Sequence, residues 1–146
     1  MKRRCEKIFR CIHCQKDIGN QALGTRFRNH CPYCLWSKHL DTLPGDRKAG
    51  CGGAMTPIGL TFKAAGKEKI GELMVVHLCQ KCGARSKTRL AGDDQASTIL
   101  FVYQNSSKMQ PVVELDDGLA KQSIRLLGEG DRQEVFTQLF GKPNLN

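Results

Sequence analysis

Eight cysteines, at positions 5, 11, 14, 31, 34, 51, 79 and 82, hold most of the chemistry available to this 146-residue chain. Six of them form three pairs: Cys11-Ile12-His13-Cys14, Cys31-Pro32-Tyr33-Cys34 and Cys79-Gln80-Lys81-Cys82. Thiolates at this spacing either bind metal in a reducing compartment or join as disulfides in an oxidising one. The charged start, Met1-Lys2-Arg3-Arg4-Cys5-Glu6-Lys7, is not followed by an apolar segment, and no apolar run approaches transmembrane length. The expectation is a cytoplasmic protein with no membrane role, in which repeated Cys-x-x-Cys pairs bind zinc.

Two zinc ions per chain are expected. Cys11 and Cys14, separated by sixteen residues from Cys31 and Cys34, have the spacing of a zinc ribbon and would close a tetrahedron of four thiolates. Such a site leaves no position for substrate, so it is structural. His13 and His30 then stand beside the site rather than in it. A second site has three evident ligands, Cys51, Cys79 and Cys82, and needs a fourth. Either His39 or His77 can supply it. His39 is slightly favoured, because His77, two residues before Cys79, would strain the tetrahedron. Cys5 has no pair and reads as a free thiol.

The sequence leans away from an enzyme. It contains no His-x-Glu with Pro-Cys-x-x-Cys, no His-Glu-x-x-His and no Gly-x-Ser-x-Gly. A zinc enzyme would need an open position at the second site, with Asp41, Asp46 or Glu72 as base. A redox role for the pairs lacks the βαβ setting it requires.

The elements that must position these ligands are short. Alternation in Arg26-Phe27-Arg28 suits a strand. Residues 41–50 read as a linking loop. Met55–Phe62 and Ile70–Leu78 form a predicted hairpin around the polar turn Lys63–Lys69, with Ser86–Leu90 as a third strand. Beyond Gly92 the cysteines stop. Thr98–Tyr103 is a β-prone apolar run, while Leu115–Leu127 and Arg132–Phe140 read as two short helices separated by Gly128-Glu129-Gly130, with Asp131 as an N-cap. Val135, Phe136, Leu139 and Phe140 form an apolar stripe suited to core packing.

Charge divides the chain in the same place. Residues 1–92 carry 18 Lys and Arg against 6 Asp and Glu, a balance of +12; residues 93–146 carry 5 against 8, a balance of −3. Seven thiolates on two zinc ions would bring the formal +9 to about +6. A basic half-chain implies an anionic partner, RNA or the ribosome. The candidate contacts are Arg26, Arg28, Trp36 and Lys38, with a second cluster at Lys81, Arg85, Lys87 and Arg89. The alternative is a protein–protein adaptor that docks through residues 115–140.

The run Arg28-Asn29-His30-Cys31-Pro32-Tyr33-Cys34-Leu35-Trp36-Ser37-Lys38-His39-Leu40-Asp41 resembles the signature of the bacterial RNHCP-domain family. The resemblance extends to Pro44-Gly45-Asp46-Arg47, Cys51-Gly52-Gly53-Ala54-Met55 and His77-Leu78-Cys79-Gln80-Lys81-Cys82-Gly83, and covers roughly residues 8–92. It implies a small zinc-ribbon-like protein that binds metal through the matching cysteines, with His30, His39 and His77 in the motif. It implies no reaction. The expected architecture is therefore a metal-stapled, mainly β protein: a basic lead-in at 1–10, tandem zinc-ribbon-like units over 11–92 and an acidic, helical extension over 93–146.

Overall fold

The computed structural model describes residues 8–19, 30–39, 50–64, 70–106, 112–116 and 121–141. Strands β1 (Ile8–Arg10) and β2 (Asp17–Gly19) make a small antiparallel hairpin. Strands β3 (Ser37–Lys38), β4 (Ala54–Ala64), β5 (Ile70–Cys79) and β6 (Arg85–Arg89) form an antiparallel sheet in that order. The hairpin and third strand expected from the apolar runs are present. The architecture is small, mostly β and zinc-ribbon-like.

Strand β5 explains why its sequence is almost continuously apolar. Leu73 and Val75 enter one core cluster, while Val76, whose side chain points to the opposite face, enters another. Both faces are covered, so alternation with polar residues is lost.

The cover comes from the C-terminal third. Helix α1 (Ala96–Ser106) buries Ile99, Val102, Tyr103 and Ser106, which follow the i, i+3, i+4, i+7 pattern of one helix face. This corrects the β-prone reading of Thr98–Tyr103: periodicity prevails over the strand preference of Thr, Ile and Val. A second correction falls on Leu115–Leu127. It contains no helix among the described residues; β7 (Val112–Asp116) pairs antiparallel with β8 (Lys121–Arg125). Val112, Val113 and Ile124, β-branched residues, favour the paired strands over the helical spacing of the leucines. Helix α2 (Arg132–Phe140) lies where expected. The Asp131 side chain does not cap it; the carboxylate instead accepts hydrogen bonds from Arg125 and from the Gly128 N–H. In the expected apolar stripe, Val135 is fully buried and Leu139 packs on the core, whereas Phe140 is exposed.

The main core joins Leu35, Leu60, Leu73 and Val75 to Ile99, Val102, Tyr103, Leu127 and Val135. Each such side chain contributes about 1.5–3 kcal/mol on burial, so the residues after 92 supply a large share of what holds the sheet. They also cover its open edges. Where β6 stops, the Gln138 amide accepts from the Leu73 N–H at 2.8 Å and donates to the Gly71 carbonyl at 2.9 Å, extending the ladder with a side chain. On β4, the Leu127 N–H donates to the Leu60 carbonyl. Gly59 marks the closest approach: a Cβ there would lie 2.8 Å from Ser106 Cβ. Among the described residues no helix is long and apolar enough to cross a membrane.

Candidate metal centres

The three Cys-x-x-Cys pairs fold into the same backbone turn. In each, the N–H of the residue after the second cysteine donates back to the carbonyl of the first: Gln15 to Cys11, Leu35 to Cys31 and Gly83 to Cys79. Each first cysteine N–H in turn donates five residues forward, to Lys16, Trp36 and Ala84. The closing residue has a positive φ in every case, 68° at Gln15, 65° at Leu35 and 78° at Gly83. Two of these are not glycine, a backbone strain that the turn itself imposes. The strain frees N–H groups to face sulfur: His13 and Cys14 donate to Cys11 Sγ, and Tyr33 to Cys31 Sγ, each at 3.4 Å.

The first two knuckles face each other. Cys11 Sγ lies 3.5 Å from Cys34 Sγ, and Cys14 Sγ 3.5 Å from Cys31 Sγ. The second site gathers His39, Cys51, Cys79 and Cys82. Cys51 Sγ is 3.7 Å from Cys79 Sγ, and His39 Nδ1 is 3.3 Å from Cys82 Sγ. In each site all four ligand atoms lie within 4.8 Å of one another. Tetrahedral zinc with Zn–S near 2.3 Å and Zn–N near 2.0 Å requires S···S edges of about 3.8 Å and S···N edges of about 3.5 Å. A disulfide would need sulfurs about 2.05 Å apart, and the seven cysteines described are all free. The donor sets fit two zinc ions, one held by Cys11, Cys14, Cys31 and Cys34, the other by His39, Cys51, Cys79 and Cys82. Zinc would act at both as a cross-link between knuckles.

The second site contains a knuckle that no spacing rule reveals. The His39 N–H donates to the Gly53 carbonyl, and the Gly52 N–H donates back to the His39 carbonyl. Gly52, immediately after Cys51, has a φ of 66°. This is the hydrogen-bond pattern of the three compact knuckles, with His39 in the place of the first cysteine and Cys51 in that of the second. Residues 40–50 replace the usual two between them. Strands β3 and β4 lead in and out of it, as β5 and β6 do for Cys79 and Cys82. Gly53 must be small, since a Cβ there would meet Cys79 Sγ at 2.8 Å and Lys81 Cβ at 2.6 Å. The sequence signal is the glycine directly after Cys51, matching the one after Cys82.

His77, the alternative fourth ligand, is not in either cluster. It is wholly buried, with Nε2 2.6 Å from the Leu35 carbonyl. Burial pushes its pKa down to about 4, so the imidazole is neutral and Nε2 carries the proton it donates. Its ring is taken up by the second Cys-x-x-Cys turn and stays out of the metal cluster. His30 is also buried and pairs through Nε2 with Asp94 at 2.7 Å. Asp94 accepts from the Ala91 N–H as well. Both histidines thus tie the second knuckle to the sheet and to the start of α1. His13 stacks on Trp36, centroids 4.2 Å apart and planes 3° from parallel.

Electrostatics differ among the ligands within each site. At the first site burial pushes the Cys31 thiol up to about 11 and the Cys34 thiol up as well, whereas at Cys14 burial is outweighed by hydrogen bonds from the Lys16 N–H and the neighbouring thiols, which bring it down. At Cys79 burial also opposes ionisation, but the N–H groups of Cys82 and Lys81 overcome it and bring the thiol to about 6. Lys81 leans over the second site and donates to the Cys51 carbonyl at 3.1 Å.

Of the anticipated nucleic-acid contacts, Arg26 and Arg28 lie outside the described residues, as do Phe27 and Cys5. Trp36 is half-buried beside the first site and Lys38 is exposed on β3. Arg85, Lys87 and Arg89 occupy alternate positions of β6, opposite Leu78, Val76 and Met74 of β5, and Arg89 pairs with Glu72 at 2.7 Å.

The RNHCP domain family model matches residues 6–100, well over half of the chain, and the chain belongs to that family. No curated protein matches it, and no solved structure does.

Proposed function

We propose that this RNHCP-domain protein is a zinc-ribbon module that binds RNA, alone or within the ribosome, through the basic surface of residues 8–92. The observation that carries the reading is the placement of cations around two closed metal centres. Each zinc has four protein donors, which gives the ions a structural task and leaves the surface to do the binding. Arg10 and Lys16 flank the first site, Lys38 reaches past Gly52 beside the second, Lys81 overhangs the second, and Arg85, Lys87 and Arg89 run along one face of β6. Zinc on four thiolates carries a formal charge of −2, and zinc on three thiolates and a neutral imidazole −1. The excess of cations in residues 1–92 outnumbers these charges and is available to phosphates. A cytoplasmic setting accords with free thiolates as metal ligands.

Co-sedimentation with ribosomes, and binding to purified RNA, across a salt series tests this. Neutralising several phosphates makes affinity fall by orders of magnitude between about 50 and 200 mM salt. Binding that is indifferent to salt, or absent at low salt, overturns the proposal. The adaptor reading through residues 115–140 predicts instead that the full chain binds no RNA at low salt and captures a protein partner that the exposed substitution Phe140→Glu loses.

A further inference from the structure

We propose that the groove between β1 and the start of β3 is a stacking slot for one base of a single-stranded nucleic acid, with Trp36 as its platform. This rests on the RNA-binding reading and gives it a subsite. The groove has a volume of about 340 Å³ and is walled by Phe9, Ile12 and Trp36, with Arg10 and Lys38 at its margins. Among the described residues no carboxylate lines it.

Three features favour a base over other ligands. The platform is fixed in advance. Trp36 lies parallel to the His13 ring on one side and packs into the cluster of Cys11, Ile18 and Cys31 around the first zinc site. A ligand therefore meets an indole whose orientation has already been set. The groove's apolar lining includes two aromatic side chains, Phe9 and Trp36, which suit the π-face every base offers and a carboxylate side chain does not. The cations are suitably placed for phosphate. Arg10 is about two-thirds exposed, and its Asp17 partner stands at 3.6 Å, equally exposed, a pairing a phosphate can replace. Ile12, 41% exposed on the rim, offers apolar surface for a base edge to pack on.

The chain has a single tryptophan, Trp36, so in the zinc-loaded protein its emission reports on this face. Zinc-loaded full-length protein is titrated with a single-stranded RNA of about a dozen nucleotides, with the matching DNA strand, with inorganic polyphosphate and with an acidic peptide. The expected result is quenching of at least about half by the RNA, and binding without quenching by polyphosphate. Ile12→Glu, at an exposed site, weakens RNA about tenfold with two zinc ions retained. Arg10→Gln with Lys38→Gln lowers the salt slope by about 1.4. Salt-dependent RNA binding without quenching, and unaffected by Ile12→Glu, overturns the slot and leaves the broader reading standing. Absence of RNA binding overturns both. Tighter quenching by DNA keeps the slot and overturns the RNA assignment; quenching by the peptide alone gives the groove to a protein and overturns the proposal.

Discussion

The two metal centres hold the molecule together in different ways. The first is built from two compact knuckles, and one of these, Cys11 to Cys14, belongs to a hairpin whose buried cluster consists of Cys11, Ile18 and Cys31. That hairpin has almost no apolar core of its own. The second centre closes the end of the four-stranded sheet, where Cys79 terminates β5 and pairs with Met55 of β4. Its strands run straight into the main core. The same coordination chemistry thus replaces a hydrophobic core in one place and finishes one in the other.

The difference predicts unequal consequences of losing each zinc. Structural zinc contributes roughly 10 kcal/mol or more of binding energy that is also folding energy. Cys14→Ser should reduce bound zinc from two to one and release the first hairpin, with Trp36 emission shifting to the red as its His13 partner leaves. The sheet should still melt cooperatively. Cys79→Ser should also leave one zinc, and should lower the melting temperature of the whole sheet. Metal analysis and thermal denaturation followed by circular dichroism check both. Equal losses of melting temperature would abolish the distinction between the centres.

A smaller effect separates the histidines. His39→Ala should empty the second site, and His39→Cys should restore two zinc ions. His77→Ala should keep both ions while costing about 1–3 kcal/mol, since it removes a buried hydrogen bond to Leu35 and leaves that carbonyl unpaired. Zinc stoichiometry measured beside denaturant unfolding distinguishes the two roles, and loss of zinc from the His77 variant would reverse the assignment.

The smallest effect lies far from both metals. The Arg125 guanidinium beside Asp131 holds its carboxyl below the usual value of 3.8. A carboxyl depressed on folding stabilises fully above its unfolded pKa, and that contribution is lost as pH falls through the folded one. Asp131→Asn should cost about 1 kcal/mol at neutral pH and nothing once the pH is below both values. Melting curves of the two proteins, measured on the acid side, should converge. Parallel curves would place the role of Asp131 in its hydrogen bond to the Gly128 N–H alone.

Much of the zinc half was readable because metal ligands impose local spacing. Cys-x-x-Cys specifies a turn of fixed geometry, and the hairpin of β4 and β5 follows from its apolar runs. The split knuckle was less accessible: His39 and Cys51 are joined by backbone hydrogen bonds across residues 40–50, and spacing alone does not distinguish His39 from His77. In the C-terminal third two signals compete. In α1, residues 99, 102, 103 and 106 fall on one helical face while Thr98, Ile99 and Val102 favour strands. In β7 and β8, the leucines suggested a helix, but Val112 pairs with Arg125 and Asp116 with Lys121. Nothing local announces that Gln138 will serve as a length of β-strand.

The split knuckle also makes the second centre a natural insertion port. Its stem is closed by His39 and Cys51 on one ion and by two backbone hydrogen bonds. For a flexible loop, each doubling of length costs only about 0.6 kcal/mol. A peptide inserted between His39 and Cys51 would begin and end on a metal-clamped stem.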